Sequence, residues 1–230
     1  MPQLIAMIII VVGAMIYMFQ TFGGTGDKIT GVAQKTSVIT EIQNIKTGLQ
    51  FAARDEVIYK TAVANEDKFN NLKGLATKDY FAEQVNNQLK NMDSDYAKPV
   101  SVTKTDNAYN AISFGGNTKE KGGMVLALVT ESTKTPGIFV DLNFEGSNLK
   151  DTAGFLESQI ANDLKGIAYI DRGAKTDVAG AVPFEADEIK QYGNTALGKL
   201  PGKTTGDDKT DTDGKFIIYF LDFSSSEVVK

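Results

Sequence analysis

Asp207-Asp208-Lys-Thr-Asp211-Thr-Asp213-Gly214 is the part of this 230-residue chain whose residue types most directly suggest chemistry. Four carboxylates and a turn-making glycine fall within one short stretch. Ca²⁺ takes about 6–8 hard oxygen ligands, backbone carbonyls among them. The spacing resembles half of an EF-hand loop, but the distal glutamate is missing, because Tyr219 stands five residues after Gly214. Two readings follow: a calcium site built on Asp207, Asp208, Asp211 and Asp213, or a solvated Asp/Gly/Thr turn before the last strand.

Other chemistry is scarcer. Gly193–Lys199 (GNTALGK) meets most of a phosphate-binding G-x-x-x-x-G-K pattern, yet Leu200 follows where Ser or Thr is needed. Gly198–Thr204 (GKLPGKT) has the right ending and one spacer too few. Neither follows an apolar strand, so the cradle of helix N-terminal amides that holds a phosphate is not encoded. The chain has no His and no Cys. The usual general base near neutral pH, the thiol nucleophile, thiolate metal sites and disulfides are therefore all missing. No catalytic residue set is found, and neither an enzyme nor a bound cofactor is expected. With a net charge of −5 and only Arg54 and Arg172 as arginines, a nucleic-acid partner is not expected either.

The elements that carry these residues begin with a segment that has no charge before Asp27: MPQLIAMIIIVVGAMIYMFQTFGG. From Leu4 to Phe22 it is apolar apart from Gln20 and Thr21. As a helix it would be about 28 Å long, close to the ~30 Å hydrocarbon core of a bilayer. It lacks the basic start and small-residue cleavage site of a secretory signal, and positive residues appear only after it, at Lys28 and Lys35. A processed N-terminus at Met1, with a basic leader removed, accounts for that pattern. Gly23, Gly24 and Gly26 form a soft joint, each glycine weakening a helix by about 0.5–1 kcal/mol relative to Ala. A helix then resumes. Val38, Ile42, Ile45, Leu49 and Ala52, spaced 4-3-4-3, predict one apolar stripe on a helix reaching about Tyr59.

This layout resembles that of a type IV pilin or pilin-like protein, nearest to the larger type IVb-like forms. Met1 at the mature start, the Leu4–Phe19 run and the glycine joint carry the resemblance. It implies a methylated Met1 and an inner-membrane anchor that later becomes the core of an extracellular, cell-surface filament. It also implies assembly machinery as a partner and self-association into a helical homopolymer. Leu4, Ile8, Val11, Met15, Phe19 and Phe22 are the residues it assigns to the polymerisation helix. Ile5 stands where the family usually has Glu, so subunit registration would rest on other contacts. The family's proline near the end of the apolar half is absent, and a C-terminal disulfide is ruled out by composition. A single-pass membrane-anchored binding or sensor protein is the alternative.

The expected fold class is α+β, divided into 1–26 (apolar helix and joint), 27–60 (amphipathic helix) and 61–230 (globular head). Thr77–Leu89 is expected to be a helix with Thr77 as N-cap. Ala108–Phe114, the continuous apolar run Met124–Val129 and the alternating run from Ile138 to Phe144 are expected strands, the last two pairing as an antiparallel hairpin. Asp151 is expected to cap a helix reaching Lys165, with Phe155, Leu156, Ile160 and Leu164 on its apolar side. Ile167–Ile170, Ala179–Phe184 and Lys215–Phe223 complete the predicted strands.

Overall fold

Helix α1 is described over 31–54, and Val38, Ile42, Ile45, Leu49 and Ala52 are all fully buried along it. The 4-3-4-3 spacing does what helical geometry requires: it places these residues on one side, against the head. The structure is a computed structural model that describes residues 31–63, 66–91, 100–111, 122–185, 199–204 and 212–230. Among these residues no helix is long and apolar enough to cross a membrane. Met1, the glycine joint and the assigned polymerisation residues Leu4, Ile8, Val11, Met15, Phe19 and Phe22 lie outside them.

α1 stops short of the expected Tyr59. Glu56 adopts a left-handed backbone (φ 57°), its N–H donates to Ala53 O at 3.2 Å, and Val57 N donates to Ala52 O at 3.2 Å. This pair of bonds is a Schellman closure, with a glutamate in the position that glycine usually fills. Ile58 then leaves the helix and forms an isolated parallel bridge with Phe69.

The helix expected over Thr77–Leu89 starts later, as α3, Glu83–Lys90, and an unexpected helix, α2, Leu72–Thr77, precedes it. Asn71 is the working N-cap of α2, accepting from Gly74 N at 2.8 Å. Thr77 ends that helix, its hydroxyl donating to Gly74 O at 2.6 Å. Asp79, at φ 60°, reverses the chain between the two.

Five strands form one antiparallel sheet in the order β1-β2-β3-β5-β4. They are β1 (Tyr109–Ala111), β2 (Met124–Val129), β3 (Gly137–Asp141), β4 (Ala168–Asp171) and β5 (Lys215–Phe220). The predicted hairpin is present, with Leu126 opposite Val140 and Leu128 opposite Ile138. Helix α4, Ala153–Leu164, follows a 3-10 turn at Lys150–Thr152. Asp151 sits inside that turn rather than capping the helix, and Phe155 is exposed rather than part of the core.

The sheet is covered on both faces, as the unbroken MVLALV run predicts. On one face α1 to α4 share a core with Leu126, Leu128, Ile138, Val140, Phe216 and Ile218. On the other, Val125, Ala127, Phe139, Ile217 and Tyr219 are covered by Val102, Ala108, Ala174 and Leu200. Those covering residues come from segments with no α-helix. Such a layer cannot satisfy its own backbone as a helix does, so its polar groups need partners from elsewhere.

Candidate functional site

Of the acidic stretch, Asp207, Asp208 and Asp211 lie outside the described residues, and Asp213 lies within them. Asp213 Oδ2 accepts from Lys175 Nζ at 2.8 Å, and Oδ1 accepts from Lys215 N at 2.9 Å. Its carbonyl accepts from Asn143 Nδ2 at 2.9 Å. The carboxylate that was a candidate calcium ligand thus holds a lysine and closes the turn into β5. Among the described residues no group of three or more His, Cys, Asp or Glu is placed to hold a metal ion.

The more informative feature is what fixes the two ends of this stretch. At one end Asp171 Oδ2 accepts from Thr204 N at 2.9 Å and from Thr204 Oγ1 at 2.8 Å. At the other, Glu157 Oε2 accepts from Gly214 N at 2.8 Å, and Glu157 Oε1 from Arg172 Nε at 2.6 Å. Asp171 and Glu157 are both fully buried. Gly214 takes φ 79°, and a Cβ placed there would meet Ala153 Cβ at 2.6 Å, so only glycine fits this entry to β5.

Two further buried carboxylates hold the layer that covers the second face. Asp141, on β3, accepts from the Ser101 hydroxyl and from Asn143 N. Asp177 accepts from Thr103 N at 2.8 Å and Asn107 Nδ2 at 2.9 Å. Asn107 then bonds both backbone groups of Leu128, at 2.9 and 2.7 Å. The strand register puts Asp141 opposite Lys215 and Asp171 opposite Ile217, so both stand beside the first half of β5. A buried carboxylate is costly unless its oxygens are filled by donors. Here Asp141 and Asp171 each fasten a loop to the sheet directly, and Asp177 does so through Asn107. Charge-assisted bonds of this kind are about twice as strong as neutral ones. The arrangement is mechanical: in a chain without cysteine, carboxylates bind together segments far apart in sequence.

Electrostatics agree with that role. Burial pushes the Glu157 carboxyl above its ordinary range, against the opposing pull of Arg172 and the Gly214 N–H. Burial, with the nearby Asp171 and Glu131 charges, pushes the Tyr219 phenol up as well.

A second set of contacts joins α1 to the head. Lys35 pairs with Asp163 at 2.6 Å, Lys46 with Asp222 at 2.5 Å and Arg54 with Glu227 at 2.5 Å. Lys46 Nζ also stands 4.5 Å from the centre of the Phe220 ring. The C-terminal residues close the end of the helix: Lys230 N donates to Ile58 O at 2.9 Å, Lys60 N to Lys230 O at 3.1 Å and Val229 N to Lys134 O at 2.8 Å. Sequence reasoning missed the buried carboxylates, although one signal was available. GIFVD and AYID are each an apolar strand that ends in aspartate.

Compared with family models, with curated proteins and with solved structures, the chain matches none.

Proposed function

We propose that this chain is the structural subunit of an extracellular type IV pilus-like filament, assembled through the apolar segment Leu4–Phe22 and displaying the α+β head outside. One observation carries the reading. α1, which comes after that segment and the glycine joint in the chain, is bound to the head by a buried stripe, three ion pairs and the C-terminal clasp. A head fixed to its helix in this way would move with it as one body, and a filament subunit requires that. Before assembly the apolar segment would be held in the inner membrane. Leaving it in water is costly at about 25 cal/mol per Å² of apolar surface. The carboxylate-bound loops would give a disulfide-free head the stability that an exposed filament needs.

The test is electron microscopy of material sheared from cells expressing the chain, with antibody against the head. Helical filaments carrying the label are expected, and they should vanish when residues 1–28 are deleted. Labelled protein found only as membrane-bound monomer would replace this reading with a single-pass anchored binding or sensor protein.

A further inference from the structure

Asp213–Gly214 is the peptide of this chain most prone to rearrange on its own. Of the 22 glycines it holds the one that follows Asp, and none follows Asn. Glycine has no Cβ to shield its own nitrogen, so in an aspartyl–glycine pair that nitrogen can reach the preceding side chain. The glycine N attacks Cγ of the protonated aspartyl carboxyl, and the carboxyl hydroxyl leaves with the amide proton as water. The product is a cyclic imide. Water then cleaves the bond from that nitrogen to the old main-chain carbonyl carbon. That carbon becomes a free carboxyl, and the main chain runs through Cγ, one carbon longer. One water is lost and one regained, so no other reactant is needed. The Asp213 side chain is partly exposed, so shielding from water does not prevent this.

We infer that Asp213–Gly214 is a latent site of backbone isomerisation, locked in the native fold by the buried Glu157 carboxylate. The attacking atom is the one Glu157 holds: Gly214 N donates to Oε2 at 2.8 Å, which keeps the N–H pointed at α4. The carboxylate to be attacked is held elsewhere. Asp213 Oδ1 accepts from Lys215 N at 2.9 Å, one residue beyond the nitrogen it would have to meet, and Oδ2 accepts from Lys175 Nζ at 2.8 Å. Those donors would have to let go before either oxygen could leave as water. The carbonyls on both sides are fixed as well, Asp213 O by Asn143 Nδ2 and Gly214 O by Leu142 N, each at 2.9 Å. Gly214, at φ 79°, is also packed against Ala153, so the turn has little room to rotate towards the cyclic form. Glu157 is thus a positioning residue with a chemical consequence as well as a mechanical one. A main chain longer by one carbon at this point would carry Gly214 away from both Glu157 and Leu142, and the entry to β5 would lose its anchors. The inference stands apart from the filament reading, since it concerns the head alone.

The test is an ageing experiment on the full-length protein in detergent, kept for weeks at physiological temperature and neutral pH. Isoaspartate is counted by methyl transfer from a protein isoaspartate methyltransferase. It is located by electron-transfer fragmentation of the tryptic peptide 210–215. The native parent is expected to accumulate little at position 213, and the same chain unfolded in urea much more. Equal rates in the two states would overturn the inference without recourse to any variant. Glu157→Gln keeps the side chain's volume but offers one acceptor to two donors, Arg172 and Gly214. Its native-state rate is expected to exceed the parent's by about ten- to a hundredfold, the factor that a bond to a charged group is worth. Leu49→Ala, on α1, lowers stability without touching this turn and is the control for unfolding. A Glu157→Gln rate no higher than that of Leu49→Ala would mean that isomerisation follows overall unfolding, and the inference would fall. A rate below the parent's would make Glu157 the base that takes the Gly214 proton, and would overturn it too.

Discussion

Arg172 Nε donates to the fully buried Glu157 Oε1 at 2.6 Å, and the other oxygen of that carboxylate holds Gly214 N. One side chain on α4 thus ties the end of β4 to the start of β5. Removing one partner of a buried, hydrogen-bonded pair costs about 3–5 kcal/mol. Glu157→Ala is therefore expected to destabilise the protein by about that amount in urea unfolding, and a loss well under about 1 kcal/mol would show that the pair is not structural. The carboxyl's raised folded-state pKa sets the pH signature. Its contribution is fully present below the unfolded-state value and falls away as pH rises through the folded-state value. Glu157→Gln should remove that component from the stability–pH curve.

Glu227 is expected to behave in the opposite way. Burial disfavours its charge, but the Ser224 N–H and Arg54 outweigh burial and hold the carboxyl below its ordinary range. Stability from this group is present above the unfolded-state value and is lost as pH falls through the folded-state value. Because Arg54 is well exposed, the ion pair itself is worth little, and Glu227→Gln should cost about 1 kcal/mol at neutral pH. The variant should also lose less stability than the parent between neutral pH and the acid range, which thermal melts across pH would show.

Elements set by local pattern were legible in the sequence, and those set by distant contacts were not. MVLALV read as a strand because nothing but apolar residues fills both faces, and the strand expected over Lys215–Phe223 read so from the apolar run after Lys215, although it ends at Phe220. The α1 stripe was visible because helical spacing needs no knowledge of the partner. Thr77 misled because a threonine near a helix boundary can serve either end, and here its hydroxyl closes the helix before it. The end of α1 was hidden because Glu56 adopts a conformation that its residue type does not advertise. Composition marked the acidic stretch, but its anchors are 33 and 57 residues from their partners, Asp171 to Thr204 and Glu157 to Gly214. No local pattern reports a pairing of that range.

Gly214 is the point where backbone and packing make the same demand. A side chain at φ 79° is strained, and its Cβ would also strike Ala153. Gly214→Ala is expected to destabilise the protein by about 1–3 kcal/mol. The strain should also displace the N–H that Glu157 holds, so Gly214→Ala and Glu157→Ala should cost less together than the sum of their separate effects. Additive losses in a double-mutant cycle would mean that the glycine and the carboxylate act independently.

Leu49 tests whether α1 is held by the head or by its own propensity. It is fully buried in the core shared with the sheet, while Thr47, two residues away, is exposed. Helices of this length draw most of their stability from the packing of an apolar face. Leu49→Ala should cost about 2–5 kcal/mol through lost burial and the cavity left behind. Thr47→Ala should change stability by no more than about 0.5 kcal/mol. Unfolding followed by far-ultraviolet circular dichroism and by tyrosine fluorescence should shift together in Leu49→Ala, because helix and head share one core. If the helical signal were lost before the tyrosine signal, α1 would be a separable appendage. The rigid coupling of head to helix that underlies the proposed filament role would then fail.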